Sequence, residues 1–162
     1  MKLWDKGITI DKKIEQFTVG NDREMDMHIA IYDVEASIAH AKMLHKIEII
    51  NSDELEQLLE GLEELQDQIE NNTFVIENSF EDVHSKIEFE LTKKYGDVGK
   101  KIHTARSRND QVLVALHLCY KQNIFGVIEQ TETFFDTLLN LSETYKENLL
   151  PGRSGLGAPL SC

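Results

Sequence analysis

The segment from His103 to Gln111 holds the densest group of side chains that could do chemistry. It reads HTARSRNDQ, with one histidine, two arginines, two hydroxyls and two carboxamides. Arg106 and Arg108 each offer a planar fork of donors that matches a carboxylate, and Asn109 can donate and accept. A long helix is predicted to begin here, so its free N–H groups also favour anions. The pattern indicates an anion or dicarboxylate site; the alternative is a plain capping motif with Ser107 as N-cap.

A second group of polar residues is the run EDVH at positions 81–84, followed by Glu88. His84 and Glu88 are four residues apart on a predicted helix. The pair either holds one imidazole tautomer or forms a surface ion pair. No further ligands lie at a suitable spacing, so zinc is not predicted.

A third stretch, YDVEASIAHA at positions 32–41, carries small residues at 36, 37, 39 and 41. Small side chains let another helix approach closely. Packing is therefore the favoured interpretation of this stretch.

Apolar residues at intervals of three and four predict the helices that must position these groups. We expect helices from residue 22 to about 46, from 52 to 70, from 81 to 95 and from about 107 to 149. Ser52 is the predicted N-cap of the second, Asn71 and Asn72 its end, and Gly96 the C-cap of the third. The eight acidic residues of 52–70 indicate a solvated helix face.

The last predicted helix contains no proline and one glycine, and apolar residues occupy more than one of its faces. It would extend roughly 60 Å at the rise of an α-helix. A chain of 162 residues cannot bury such a surface by itself. We therefore expect partner helices from elsewhere in the protein or from other subunits.

Composition excludes several classes of function. The formal net charge is -12, with 17 Lys and Arg against 29 Asp and Glu, which disfavours nucleic acid and anionic membranes as partners. Cys119 and Cys162 make neither a disulfide framework nor a metal cluster. No apolar run approaches the roughly 20 residues of a membrane span, and the first residues contain no apolar stretch of the kind found in a leader peptide. A cytoplasmic location is expected.

Taken together, these stretches resemble argininosuccinate lyase, of the fumarase/aspartase superfamily. The resemblance is carried by Tyr32-Asp33 with residues 37–41, by residues 81–84 and by residues 103–112, and it extends from about residue 17 to Gly152. It implies an all-α fold. A small helical N-terminal domain, residues 1–105, would lead into the first long helix of a central helix bundle, residues 106–150. The tail at 151–162 is expected to be disordered.

The resemblance also implies an activity. Argininosuccinate would be split into arginine and fumarate by an elimination that needs no cofactor and no metal. Ser107, Arg108 and Asn109 match substrate-binding positions of the family, while Asp82 and His84 match residues that support the same cleft. Members are homotetramers whose active sites are built from several subunits, so a homo-oligomer is expected.

Two departures from the family limit what is carried over. Residues 17–22 offer no match for a substrate-contacting serine near the N-terminus. After Gly152 the family continues Tyr-Thr-His-Leu-Gln, whereas this chain reads RSGLGAPLSC, which resembles a frame change or an expression artefact. In the family that stretch supplies a catalytic histidine and a later loop supplies a catalytic serine. This sequence matches neither, so the catalytic residues are unknown, and we expect the 162-residue chain by itself to lack lyase activity.

Two other functions stay open at this point. One is a non-catalytic helical module that assembles through its long helix. The other is a related lyase, such as adenylosuccinate lyase or fumarase, against which the run RSRN argues.

Overall fold

The computed structural model describes residue 17 and residues 20–148, 151–153 and 159–161. Helices dominate this part of the chain, which confirms the all-α class. They are α1 (Asp22–Asp26), α2 (Ala30–Lys46), α3 (Ser52–Glu70), α4 (Val83–Tyr95), α5 (Asp97–Lys100), a 3-10 turn (Lys101–His103) and α6 (Arg108–Tyr145). The chain divides into two compact units, Met1–Tyr120 and Lys121–Cys162.

The predicted helix from residue 22 to 46 is wrong at residues 27–29, which form a turn between α1 and α2. The amides of His28 and Ile29 donate to the carbonyls of Met25 and Asp26, three residues earlier, both at 3.0 Å. This tighter pattern ends the α-helical ladder. The Asp26 carboxylate is also used elsewhere, because its Oδ2 accepts a 3.0 Å hydrogen bond from the Val83 amide at the start of α4.

The start of α3 is one residue away from the prediction. Asn51, not Ser52, is the N-cap: its Oδ1 accepts from the Glu54 amide at 2.9 Å, and Glu54 Oε2 accepts from the Asn51 amide at 3.1 Å. This reciprocal capping box satisfies two amides that a serine at the next position would leave to solvent. The predicted end is confirmed, since Asn72 has a φ of 56° and breaks the helix.

The end of α4 was also predicted correctly. Gly96 has a φ of 63°, a conformation that glycine adopts without steric penalty. The chain then turns back as α5, where Gly99 lies so close to α4 that an added Cβ would be 2.4 Å from the backbone of Leu91. This close approach brings the 3-10 turn and the following segment, residues 104–107, to the helices of the first unit.

Helices α2, α3 and α4 share the hydrophobic core of the first unit. The largest fully buried apolar side chains are Val34, Leu44, Leu58, Leu62, Val83, Ile87 and Leu91. The apolar residues of α2 are not all buried: Ala36 and Leu44 are buried, while Ala39 and Met43 are exposed. None of the described helices is long and apolar enough to cross a membrane.

The second unit contains the rest of α6 and a short strand pair. Strand β1 (Pro151–Arg153) pairs antiparallel with β2 (Pro159–Ser161), with Gly152 opposite Leu160. The expectation that the tail is disordered stays a prediction; residues 154–158 and 162 lie outside the described residues. Each strand begins with proline, which is tolerated at the first position of a strand because no ladder amide is needed there.

Candidate functional site

Arg108 is the first residue of α6, and its guanidinium is held by the start of α4. Its Nη1 contacts Asp82 Oδ2 and donates a 3.1 Å hydrogen bond to Ser85 Oγ. The Arg108 side chain keeps 32% of its surface exposed. One guanidinium nitrogen is therefore held by the protein, while about a third of the Arg108 side-chain surface stays exposed to solvent.

Asp82 both caps α4 and pairs with Arg108. Its Oδ1 caps α4 by accepting a 2.7 Å hydrogen bond from the Ser85 amide, and its Oδ2 pairs with Arg108. Burial by itself would raise the Asp82 pKa, but the hydrogen bonds from Ser85 and the charge of Arg108 outweigh burial and lower the pKa below its ordinary value. The carboxylate is therefore ionised at neutral pH and keeps the arginine oriented.

Ser107 and Asn109 flank Arg108 at the N-terminus of α6, and both are exposed. Ser107 Oγ accepts a 3.2 Å hydrogen bond from the Asn109 amide, and the Ser107 carbonyl accepts from the Gln111 amide at 3.1 Å. These contacts are those of an N-cap. The capping interpretation is thus correct for Ser107, and capping leaves its hydroxyl proton able to donate to a ligand.

His84 is not part of a surface ion pair. It is buried, with 5% of its surface exposed, and its Nδ1 lies 3.0 Å from Asp33 Oδ2. The contact has the distance of an ion pair but not the geometry of a hydrogen bond. His84 and Glu88 both line a small cavity together with residues of α2 and the 103–111 segment.

Asp33 is the polar residue that the sequence analysis missed. It is fully buried, and both of its carboxylate oxygens accept hydrogen bonds from Gln111 Nε2, at 2.8 and 3.0 Å. Arg106 Nη2 lies 3.4 Å from Asp33 Oδ1. The available signal was that Asp33 and Ser37 fall on the same helix face as the apolar Val34 and Ala41, because a carboxylate buried on such a face needs donors.

Arg106 has a different role from Arg108. Its side chain is only 8% exposed, and its Nη1 donates a 2.9 Å hydrogen bond to Ser37 Oγ. Burial lowers the Arg106 pKa, and the charge of Asp33 opposes that shift. The sequence analysis predicted that both arginines could bind a ligand carboxylate. In the structure, the Arg106 guanidinium instead donates to Ser37 and Asp33 of α2.

The predicted site residues therefore lie in two layers. Ser107, Arg108, Asn109 and Asp82 meet at the junction of α4 and α6, and His84 lies on the buried Asp33. Among the described residues, no group of three or more His, Cys, Asp or Glu side chains is arranged to hold a metal ion.

The profile of a family described as lyase matches residues 6–157. The chain belongs to this lyase family. The match includes every residue of the two layers and reaches beyond the stretch from about 17 to 152 on which the resemblance was drawn.

Curated relatives of this lyase chain carry the name argininosuccinate lyase, which confirms the resemblance. The protein of Phocaeicola vulgatus is 48% identical over 155 residues, covering 96% of this chain and 35% of the relative. That of Bacteroides fragilis is 49% identical with the same coverage. That of Thermotoga neapolitana is 50% identical over 123 residues, covering 76% of this chain and 31% of the relative. The chain spans about a third of the length of these relatives.

Proposed function

We propose that this lyase chain supplies part of the substrate-binding surface of an argininosuccinate lyase. The reaction would split argininosuccinate into arginine and fumarate without a cofactor. The observation that carries the proposal is the partly exposed side chain of Arg108, whose guanidinium is held at the N-terminus of α6 by Asp82 and Ser85. The names of the curated relatives support the same function.

The geometry suits the charge that such an elimination develops. Removing a proton from the carbon beside a carboxylate places negative charge on the dicarboxylate as the guanidino nitrogen departs. Arg108, the Ser107 hydroxyl and the Asn109 side chain are donors at a helix N-terminus, and donors fixed before the reaction stabilise that charge most. Asp82 would orient Arg108, and His84 would support the cleft from beneath. We assign binding to these residues, not proton transfer.

Fumarate binding to the 162-residue chain tests this assignment. The backbone amide signals of Ser107, Arg108 and Asn109 should shift on titration with fumarate. Arg108→Lys keeps the charge but loses the fork, so we expect the affinity to fall by roughly tenfold. Lys100→Ala, which removes an exposed lysine paired with Asp97, is the matched control and should bind as the unmodified chain does. Unchanged amide signals, or equal affinity for Arg108→Lys, would contradict the site.

The guanidino group of argininosuccinate distinguishes this substrate from the substrates of related lyases. Fumarate is also a product of adenylosuccinate lyase and a ligand of fumarase, so fumarate binding alone does not choose among them. An argininosuccinate site must accept a guanidino group beside the dicarboxylate, and argininosuccinate should displace fumarate more effectively than adenylosuccinate or malate. Stronger displacement by adenylosuccinate would reassign the substrate.

Assembly is the second part of the proposal. Residues 106–150 would form the first long helix of a central bundle, and the chain would associate with copies of itself, as a tetramer in the family. Support comes from large apolar side chains of α6 that are exposed: Ile124, Phe125, Val127, Ile128, Phe134, Phe135, Leu138, Leu139, Leu141 and Tyr145. Such a surface is typical of an interface. It also supports the alternative of a non-catalytic assembly module, which fumarate binding would exclude.

Light scattering after size exclusion measures the assembly. We expect an oligomer, and Leu138→Gln with Leu141→Gln should shift it towards monomer because both residues are exposed and apolar. Glu143→Gln, which alters an exposed pair with Lys146 on the same helix, should leave the mass unchanged. A stable monomer of the unmodified chain would contradict the proposal.

The net charge of -12 gives no support to a nucleic-acid partner. We assign the protein to the cytoplasm.

A further inference from the structure

Three polar residues of α2 lie on one helix face and contact the segment that precedes α6. Asp33, Ser37 and His40 are spaced by four and three residues, the spacing of a single face. Asp33 and Ser37 accept hydrogen bonds from Arg106. His40 Nε2 lies 3.0 Å from the Thr104 carbonyl oxygen, and because a carbonyl only accepts, the histidine is the donor.

These contacts hold the two neighbours of a strained residue. Ala105 lies between Thr104 and Arg106 with a φ of 55°, a left-handed conformation that residues other than glycine seldom adopt. Such a conformation persists where its surroundings fix it. Here His40 fixes the residue before Ala105, and Asp33 with Ser37 fixes the residue after it.

The next residues are those of the candidate site. Once Arg106 is tied to α2, the chain direction of Ser107, Arg108 and Asn109 is set. Gln111, in the first turn of α6, is tied to the same Asp33. The polar face of α2 thus contacts the chain both before and after Ser107–Asn109. Asp33, Ser37 and His40 themselves are not exposed.

We propose that Asp33, Ser37 and His40 are positioning residues, which fix residues 104–109 so that Arg108 and Asn109 are ordered before a ligand arrives. Ordering in advance raises affinity because binding then does not have to immobilise the segment. The inference rests on the proposed function only for the identity of the ligand. The fixed segment itself is a property of the free protein.

Hydrogen exchange of the free 162-residue chain tests the inference. In His40→Leu the donor to Thr104 is lost, and we expect amide exchange across residues 103–109 to become about tenfold faster, the effect of one hydrogen bond. His40→Gln places a neutral donor where His40 Nε2 lies and should restore slow exchange. The matched control is His45→Leu, because His45 on the same helix makes the same kind of contact, 3.1 Å from Nδ1 to the Ile50 carbonyl oxygen. It should leave 103–109 unchanged.

Several results would overturn the inference. They are unchanged exchange in His40→Leu, equal loosening by His45→Leu, or no recovery in His40→Gln, since a purely structural role predicts general loss of stability and no rescue. If His40→Leu fails to fold, Ser37→Ala removes one acceptor of Arg106 and nothing larger than a hydroxyl, and it should loosen the same residues. Equal exchange in Ser37→Ala would then count against the inference.

Fumarate distinguishes failure of this inference from failure of the proposed function. Fumarate that leaves the signals of Ser107–Asn109 unchanged in the unmodified chain would reject the proposed ligand. Loosening of 103–109 by His40→Leu in the absence of fumarate would still support positioning. Fumarate that binds His40→Leu as tightly as the unmodified chain would show that the fixed segment does not contribute to binding, and it would overturn positioning alone.

Discussion

Gln111 donates hydrogen bonds from Nε2 to both carboxylate oxygens of Asp33, at 2.8 and 3.0 Å, and both side chains are buried. Asp33 belongs to α2 and Gln111 to the first turn of α6. The pair therefore joins the start of the long helix to the core of the first unit. A carboxylate in this setting depends on its donors, because a buried charge without hydrogen bonds is strongly unfavourable.

Gln111→Leu should lower the free energy of unfolding by roughly 1–3 kcal/mol, because a buried acceptor loses its donor. Gln66→Leu is the matched control, since Gln66 donates only to the exposed Glu70; its effect should stay within about 0.5 kcal/mol. Urea unfolding followed by circular dichroism measures both. Equal losses in the two variants would show that Gln111 does not support Asp33.

Two variants of Asp82 separate its cap from its charge. Asp82→Ala removes both the N-cap of α4 and the partner of Arg108, and it should lower stability by about 1 kcal/mol more than Asp82→Asn. Asparagine keeps an oxygen that accepts from the Ser85 amide, so only the pairing with Arg108 is lost. Urea unfolding of the two variants gives the difference. If they lose the same amount, the cap does not contribute to stability.

Ala105→Gly should raise the free energy of unfolding by roughly 0.5–1 kcal/mol. Glycine removes the steric penalty of the left-handed conformation, and this gain exceeds the extra entropy of a glycine in the unfolded chain. Ala39 lies at an exposed position inside α2, where glycine is less favourable than alanine. Ala39→Gly should therefore lower the free energy of unfolding by about 1 kcal/mol. Thermal and urea unfolding of both variants measure the contrast. If Ala105→Gly lowers the free energy of unfolding as much as Ala39→Gly does, Ala105 is not strained.

Three glycines should respond to alanine in a graded way. At Gly99 an added Cβ would meet backbone atoms of Leu91 and Thr92 at 2.4 Å, which cannot move without displacing α4. We expect a loss of about 3 kcal/mol or more, at the upper end of overpacking. At Gly61 the nearest atoms are side-chain carbons of Leu91 and Tyr95 at 2.7 Å, and the loss should be smaller because those side chains can rotate.

Gly126 is the control for that series. It lies inside α6 with nothing within 4 Å of an added Cβ, so Gly126→Ala should raise helix stability by up to about 1 kcal/mol. We expect the free energy of unfolding to rise in the order Gly99→Ala, Gly61→Ala, Gly126→Ala. A stable Gly99→Ala protein would mean that α5 does not pack closely on α4.

The C-terminal ends of α3 and α4 were predictable, because they depend on single residues with strong local preferences. Asn71 and Asn72 end α3 and Gly96 ends α4, as their types indicate. The start of α3 was missed by one residue because Asn51 and Ser52 are both good caps. Only the reciprocal bond with Glu54 decides between them.

The buried polar layer was less predictable, because its members are far apart in the chain. Asp33 looks like a surface residue to any rule based on hydropathy, and its burial depends on Gln111 and Arg106, more than 70 residues away. Hydropathy also does not distinguish Ala39 and Met43, which are exposed, from the buried apolar residues of α2. The choice of Arg108 over Arg106 as a ligand residue came from the family resemblance. The partial exposure of the Arg108 side chain is consistent with that choice, and the site stays a prediction.

The pH dependence of stability should depend on His40. Burial lowers the His40 pKa below its ordinary value of 6.5; Arg106 and His103 act in the same direction, and the hydrogen bond to the Thr104 carbonyl opposes them. The unfolded chain therefore takes up a proton at a higher pH than the folded chain does. As the pH falls below 6.5, the unfolded state binds more protons and the folded state loses stability.

His40→Gln removes this titration and keeps a donor for Thr104. The free energy of unfolding of the unmodified chain, minus that of His40→Gln, should be constant above about pH 7.5 and should fall as the pH is lowered towards about 5. Urea unfolding of both proteins at a series of pH values measures this difference. A difference that does not change with pH would show that His40 has the same pKa in the folded and the unfolded chain.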